Sequence, residues 1–155
     1  MKALLCTQFG LPDTLTVKEI PDPSPASNQI LITVEACGVN FPDVLIIQNK
    51  YQFKPELPFA PGGEVAGKII GLGGQVQGFQ IGQPVLALCG WGGFAEKVAV
   101  DIDRVFPLPP GLSAEVAATT LYTYGTSYHA LKDRANLQPG ETLLVLGAAG
   151  GVGLA

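Results

Sequence analysis

An apolar run and four glycines near the end of the sequence have the residue types and spacing of a nucleotide-binding turn. Residues 143–146 are apolar without polar alternation, as in a strand buried on both faces of a parallel sheet. Gly147 follows, and Gly150 and Gly153 fit the last two glycines of the dinucleotide fingerprint, with Ala148 in the first position. Such a turn can hold a pyrophosphate at the N-terminus of the next helix. A glycine-rich turn after a strand can also be only a turn, so the local pattern leaves both interpretations open.

The residue that would select the cofactor lies outside this sequence. An acidic residue about 20 positions after the glycine turn favours NAD, whereas a basic residue accommodates the 2′-phosphate of NADP. The sequence stops at Ala155, inside the helix that the turn begins. We therefore expect a fragment that contains one complete domain and the first strand of a second.

A second group of polar residues surrounds a predicted short helix in the first third of the chain. Asn40 is a suitable N-cap for a helix over residues 41–47, with Pro42 in its first turn. Asp43 places a carboxylate at the positive end of that helix, and Tyr51 follows one turn further on. A structural role explains each residue by itself: a cap, a first-turn carboxylate and an apolar wall.

Composition and charge limit the classes of function. The chain has 155 residues, of which 47% are hydrophobic and 14% charged, and this favours a folded globular protein over a disordered one. Its net charge is −4 and its nine basic residues are scattered, so we expect no nucleic acid and no membrane surface as a partner. No apolar run is long enough to cross a bilayer.

The cysteines indicate a reducing compartment. Cys6, Cys37 and Cys89 lie far apart in the sequence. An odd, dispersed set argues against a disulfide framework and fits the cytoplasm, where we place the protein. No two of them have the spacing of metal ligands, and a free cysteine is commonly a small core residue.

The elements that must position these residues are mainly β-strands. Between residues 1 and 110, Gly and Pro alternate with short apolar runs, which indicates an all-β barrel or sandwich. The clearest strand covers residues 29–37 and places four apolar side chains on one face: Ile30, Ile32, Val34 and Ala36. Further strands are predicted over residues 2–7, 15–20, 64–70, 85–89, 94–100 and 104–108.

A helical connector follows the β-rich part. Ser113 can cap its first helix, and helical spacing continues to Leu131 before Pro139 and Gly140 end the segment. The predicted fold class is therefore mainly β, a barrel with a helical connector, followed by the first strand and glycine turn of an α/β Rossmann domain. We place the first domain at residues 1–120 and the connector with the start of the second domain at 121–155.

Five segments of the chain carry a family resemblance. They are residues 36–43, 57–67, 92–96, 125–131 and 140–153. Together, and in this order, they resemble the medium-chain dehydrogenase/reductase superfamily, in particular its zinc-independent quinone oxidoreductase branch. The resemblance spans nearly the whole chain. It implies a GroES-like barrel as the catalytic domain, then a Rossmann domain, with nicotinamide in the cleft between them, in a chain about twice this long.

The same resemblance implies that no zinc is bound. Zinc-using members have Cys where this chain has Asn40, and Gly-His-Glu where it has Gly62, Gly63 and Glu64. Cys89 stands alone where their structural zinc loop has four cysteines. A catalytic zinc needs about three protein ligands and a structural zinc about four. His129, the only histidine, lies on the helical connector, and we expect it to be structural.

The resemblance also implies a role for each candidate residue. Asn40 and Tyr51 would line the catalytic cleft with Asp43 nearby, and Asn40 would also contact the cofactor. Thr126 would hydrogen-bond the nicotinamide amide. The residues along the pyrophosphate would be Gly150, Gly151, Val152 and Gly153. Tyr51 could donate a proton, although a bound water can serve equally. Gln48 stands where this branch often has Arg.

The implied activity is hydride transfer from NADPH (NADP as the cofactor) to a quinone or another conjugated carbonyl. Such an acceptor delocalises the incoming charge, so the protein must mainly orient two rings and supply a proton. The alternatives are an enoyl-thioester or alkenal reductase of the same superfamily, or an NADPH-binding or structural protein without catalysis. We expect a homodimer for the full-length protein, and neither turnover nor strong cofactor binding from residues 1–155 alone.

Overall fold

The computed structural model describes every residue from Met1 to Ala155. Its strands are β1 (Lys2–Leu5), β2 (Thr16–Glu19), β3 (Gln29–Gly38), β4 (Glu64–Leu72), β5 (Pro84–Leu88), β6 (Lys97–Asp101) and β7 (Val105–Pro107). Its α-helices are α1 (Phe41–Ile46), α2 (Ala114–Ala117), α3 (Thr123–Tyr128) and α4 (Gly151–Leu154). A π-helical segment covers His129–Arg134, and two 3₁₀ turns cover Pro12–Thr14 and Ile102–Arg104.

An antiparallel sheet of five strands forms the centre of the β-rich part. Its strand order is β6-β3-β4-β5-β7, and β1 and β2 pair in a separate two-stranded sheet. Each predicted strand of residues 1–110 is present, with its ends displaced by a few residues, so the mainly β fold class is confirmed. The side chains of one face form a fully buried core that includes Ile30, Ile32, Val65, Ile69 and Val85.

A β-bulge in β3 changes which side chains face this core. Ile30, Ile32 and Val34 pack against it as the alternation predicts. The register with β4 then shifts between Val34 and Ala36, so an extra residue enters the strand and reverses the alternation. As a result Cys37 contacts the core, and the prediction that Ala36 would do so is wrong.

The connection between β3 and β4 brings the first candidate residues together. In the antiparallel register, Gly38 at the end of β3 lies opposite Glu64 at the start of β4. Helix α1 begins in the loop between these strands, with Asn40 at its N-cap, as predicted. The opposite end of α1 packs with Ile46 and Ile47 into a second buried cluster. The N-terminus of α1 therefore lies at the same sheet end as Glu64.

The chain divides into two compact units, Met1–Thr119 and Thr120–Ala155. In the second unit, helix α3 continues directly into the π-helical segment, and Asn136 then adopts a left-handed conformation with φ of 49°. Residues 143–146 do not form a strand, so the strand that the sequence pattern predicts there is absent. A strand needs a hydrogen-bonded neighbour, and the second unit contains no other strand. None of the helices has the length and apolar character needed to span a bilayer.

Candidate active site around Asn40

Two buried carboxylates hold Asn40 from two sides. Asp43 Oδ2 accepts a hydrogen bond from the Asn40 backbone N–H at 2.7 Å, which is the carboxylate half of a capping box. Glu64 Oε1 accepts a hydrogen bond from Asn40 Nδ2 at 2.9 Å. Asp43 is 7% exposed and Glu64 is 1% exposed, whereas Asn40 is half-buried. The backbone and the side chain of Asn40 are therefore fixed by separate, solvent-shielded acceptors.

Asp43 ties helix α1 to the loop that precedes β4. Its Oδ1 accepts a hydrogen bond from the Gly62 backbone N–H at 3.0 Å, while its Oδ2 accepts from Asn40. Burial raises the pKa of the Asp43 carboxyl, and these two hydrogen bonds oppose that rise. Because both oxygens are engaged by the backbone, the geometry makes Asp43 a positioning residue for Asn40.

Gly62 allows this loop to pass close to the core. Its φ is 91°, a conformation that L-residues rarely adopt. A Cβ at this position would lie 2.7 Å from Phe94 backbone N and 2.8 Å from Cys37 Sγ. The glycine therefore lets the Gly62 N–H reach Asp43 without displacing the neighbouring strand.

Glu64 is the site residue that sequence reasoning did not assign. In the sequence it stands only at a position equivalent to part of a zinc motif, and no role was predicted for it. The available signal was its type and location, because a glutamate at the start of a buried strand must find a hydrogen-bond donor. The antiparallel pairing of β3 with β4 identifies Asn40 as that donor.

Tyr51 lies against the second buried cluster, which contains Cys6, Ile46, Ile47 and Phe59. Its ring meets Phe53 edge to face, with 5.8 Å between ring centroids and 63° between the planes. Nearby, Gln48 Nε2 donates to the Val44 carbonyl at 2.8 Å, and Lys50 Nζ donates to Gln48 Oε1 at 2.8 Å. The segment after α1 therefore contains a Tyr51 phenol ring packed against apolar residues and a Gln48 side-chain amide fixed by two hydrogen bonds.

The cysteines beside the site are poor nucleophiles. Burial raises the pKa of the Cys89 thiol to about 12 and holds that of Cys37 well above its usual value. Cys89 Sγ also donates to the Gly62 carbonyl at 3.3 Å. In the described chain, no three side chains of His, Cys, Asp or Glu are grouped so that they could hold a metal ion. The chemistry available around Asn40 is that of an amide and two buried carboxyl groups, whereas Tyr51 packs with Ile46 and Ile47 at the other end of α1.

The candidate cofactor residues belong to the second unit of the chain. Thr126 is exposed on α3, and Gly150 is the N-cap of α4. Ser127 Oγ donates to the Val152 carbonyl at 2.9 Å and joins α3 to the glycine turn. A Cβ at Gly153 would lie 2.3 Å from the Gly147 carbonyl oxygen, so the turn requires glycine there. A cavity of about 680 Å³ adjoins this turn and is lined by residues 143–147 and 150–155 together with Ser127.

Comparison with known proteins identifies the family. Residues 26–110 match the alcohol dehydrogenase GroES-like domain. The quinone oxidoreductase-like protein 2 homolog of Nematostella vectensis is 41% identical over 155 residues, covering 99% of this chain and 42% of the relative. The chain therefore belongs to the alcohol dehydrogenase GroES-like family, as a member of the medium-chain dehydrogenase/reductase superfamily, and its relatives include quinone oxidoreductase-like proteins.

Solved structures give the same result for the fold. The human synaptic vesicle membrane protein VAT-1 homolog-like protein superposes with a TM-score of 0.95 at 34% identity, over 99% of this chain and 50% of that one. The quinone oxidoreductase of Thermus thermophilus, solved alone and with NADPH, gives a TM-score of 0.86 at 38% identity, over 99% and 48%. This chain spans about half the length of the proteins that it matches.

Proposed function

We propose that residues 1–155 contribute the acceptor-binding side of an NADPH-dependent reductase that acts on a quinone or a similar conjugated carbonyl without zinc. The observation that carries this proposal is the Asn40 site, where a fixed amide stands at the position that a metal-binding Cys occupies in the zinc-using branch. The relationship to quinone oxidoreductases, one of them solved with NADPH, supports it.

The shape of the glycine turn supports this proposal. The backbone around Gly153 is so tight that a Cβ there would lie 2.3 Å from the Gly147 carbonyl oxygen, and Gly150 is the N-cap, in an extended conformation, of the helix that follows. We propose that Gly150, Gly151, Val152 and Gly153 lie along the pyrophosphate and that Thr126 binds the nicotinamide amide. NADPH would supply the hydride, and these residues would bind and orient the cofactor.

Residues of the first unit would orient the acceptor. Asn40 offers an amide whose backbone and side chain are both fixed, so it can hold a ring oxygen in one place with little further loss of its own conformational entropy. Asp43 keeps that amide in position through the helix N-terminus. A quinone spreads the arriving charge over its own ring, so a fixed amide can suffice where an isolated carbonyl would need a stronger electrophile.

The test is steady-state oxidation of NADPH by the full-length protein, with a naphthoquinone, an enone and an enoyl thioester as competing acceptors. We expect the quinone to have the highest kcat/KM and a metal chelator to leave it unchanged. A requirement for added zinc would contradict the proposal. A higher kcat/KM for the enoyl thioester would indicate that the protein is an enoyl-thioester reductase. Tight NADPH binding without any turnover would indicate an NADPH-binding protein without catalysis.

Tyr51 is either the proton donor or a wall of the cleft. Replacing Tyr51 with Phe keeps the ring packed against Phe53 and removes only the hydroxyl. If the phenol donates the proton, kcat falls by about 100-fold or more while KM changes little. An unchanged kcat would assign the proton to water.

A further inference from the structure

The hydrogen bond between Asn40 and Glu64 determines which atoms of the Asn40 amide remain for a ligand. An asparagine amide carries two N–H donors and a carbonyl oxygen with two lone pairs. One donor is taken by Glu64 Oε1 at 2.9 Å. The capping box turns Oδ1 towards the Asp43 backbone N–H without a side-chain cap hydrogen bond, because that N–H donates to the Asn40 backbone carbonyl at 3.0 Å. Oδ1 and the second Nδ2 hydrogen are therefore left for a ligand, on a residue that is only half-buried.

We propose that Glu64 is a positioning residue that sets the orientation of the Asn40 amide. When ionised, Glu64 can only accept, so the flipped amide would turn Oδ1 towards Oε1 and replace a hydrogen bond with a repulsion. At 1% exposure, water cannot screen that repulsion or compete for the carboxylate. The capping box favours the same orientation, and the hydrogen bond to Glu64 at 2.9 Å is the side-chain contact that fixes it.

The selected orientation predicts the chemistry of the group that Asn40 receives. With Nδ2 held inward by Glu64, Asn40 presents an acceptor together with a single donor. This pair suits a hydroxyl, which can both donate and accept. The carbonyl oxygen of an acceptor would use only the Nδ2 donor, until reduction converts it to a hydroxyl that can also donate to Oδ1. The inference about the group that Asn40 receives rests on the proposed function, in which Asn40 faces the acceptor or the cofactor. The pairing of Asn40 with Glu64 is independent of that function.

The pairing is tested by exchanging donor and acceptor in the 155-residue chain. Asn40→Asp puts two carboxyl groups together, although aspartate is as good an N-cap as asparagine, so we expect the melting temperature of this 155-residue chain to fall by roughly 2–4 °C. Adding Glu64→Gln supplies an amide donor opposite the new aspartate and should restore at least half of that loss. The matched control combines Asn40→Asp with Glu35→Gln instead. Glu35 is an exposed glutamate whose carboxylate pairs with Lys68 at 3.0 Å, so this second substitution should restore none of the lost melting temperature.

A spectroscopic measurement separates orientation from packing. In ¹H–¹⁵N spectra, the Asn40 side-chain NH₂ pair should shift clearly in Glu64→Gln, where an amide replaces the carboxyl group that accepts from Nδ2, and should stay in place in Glu35→Gln. Additive melting temperatures in the exchange experiment, or an Asn40 NH₂ pair that ignores Glu64→Gln, would overturn the inference.

The closing experiment connects the pairing to the reaction. In the full-length protein, Glu64→Gln should lower kcat/KM for the quinone by about tenfold or more, because a mobile amide positions the acceptor poorly, while Glu35→Gln should match the wild type. Wild-type kinetics for Glu64→Gln would overturn the positioning role. A full-length protein that lacks reductase activity but shows the Asn40–Glu64 coupling would instead refute the proposed function and leave the pairing established.

Discussion

The two compact units use apolar residues in opposite ways. In Met1–Thr119, strand β4 contributes Val65 and Ile69 to the core, and both are completely buried. In Thr120–Ala155, residues 143–146 are entirely apolar, whereas β4 also contains Glu64 and Lys68, yet Leu144 is 80% exposed and Leu146 is 84% exposed. Apolar composition alone therefore does not predict which segment is buried.

The difference lies in the neighbours that each segment has. Strand β4 is hydrogen-bonded to β3 on one side and to β5 on the other, so its backbone is satisfied while its apolar face is covered. Residues 143–146 have no paired strand within the 155 residues. An apolar run becomes core only where the same chain supplies a ladder and a covering layer.

The largest effect should come from deleting side-chain volume in the two segments. We expect Ile69→Ala to lower the free energy of unfolding by about 2–5 kcal/mol, because it removes buried methylenes and leaves a cavity. Leu144→Ala should change it by less than about 0.5 kcal/mol, because that side chain is already in water. Urea unfolding followed by circular dichroism and by the fluorescence of the single tryptophan, Trp91, measures both.

A control within the first unit keeps this comparison fair. Ile70 is the next residue of β4 and is 41% exposed on the other face of the strand. Its replacement by Ala should have a much smaller effect than that of Ile69. If Leu144→Ala destabilised the chain as much as Ile69→Ala, residues 143–146 would be buried in solution, for example by self-association, and the contrast between the units would be broken.

The sequence pattern predicted the β-rich fold because alternation and turn residues are local signals. It placed β3 and helix α1 correctly, including Asn40 as the N-cap. It could not predict the bulge at Val34–Ala36, because an inserted residue is visible only once β3 is paired with β4. It also predicted a strand at residues 143–146, because periodicity records apolar character and not the presence of a neighbour.

The candidate site was predictable in its members but not in its connections. Asn40 and Asp43 are close in sequence, so a capping interaction between them follows from helix geometry. The contact from Asn40 to Glu64 and that from Asp43 to Gly62 each join residues about 20 positions apart. Such contacts depend on the register of β3 and β4, which local patterns do not determine.

A second pair of substitutions adds a methyl group instead of removing volume. A Cβ at Gly67 would lie 1.9 Å from the Thr33 carbonyl oxygen in the paired strand β3. Gly67→Ala must therefore displace the backbone, and we expect it to lower the free energy of unfolding by about 3 kcal/mol. Gly125 lies inside α3 with no neighbouring atom within 4 Å of such a Cβ. Gly125→Ala should therefore stabilise the helix, by up to about 1 kcal/mol.

Thermal unfolding of these two alanine variants gives effects of opposite sign if the units differ as the structure indicates. Gly74→Ala is the control in the first unit, because Gly74 has open space around it and no positive φ. A neutral Gly67→Ala would show that β3 and β4 are further apart in solution. A destabilising Gly125→Ala would show that α3 is packed against something on that face.

The smallest effect compares a buried aspartate with an exposed one. Asp43 accepts two backbone hydrogen bonds at 7% exposure, whereas Asp133 pairs with His129 at 2.9 Å with its side chain 52% exposed. Asp43→Asn keeps one acceptor oxygen but turns an NH₂ group towards the other backbone N–H donor. We expect this to lower the free energy of unfolding by about 1 kcal/mol. Asp133→Asn should cost no more than about 0.5 kcal/mol, as for other surface ion pairs.

The pH dependence of the Asp43 effect has a defined sign. Because burial raises the pKa of Asp43 in the folded state above its ordinary value of 3.8, the folded chain keeps the proton over a range in which the unfolded chain has lost it. The contribution of Asp43 is therefore fully present below pH 3.8 and is lost as the pH rises through the folded-state pKa. The stability difference between the wild type and Asp43→Asn should shrink with rising pH, measured by urea unfolding at several pH values. A difference that grows with pH would mean that the hydrogen bonds from the Asn40 and Gly62 backbone N–H groups outweigh burial and lower the pKa of Asp43 in the folded state.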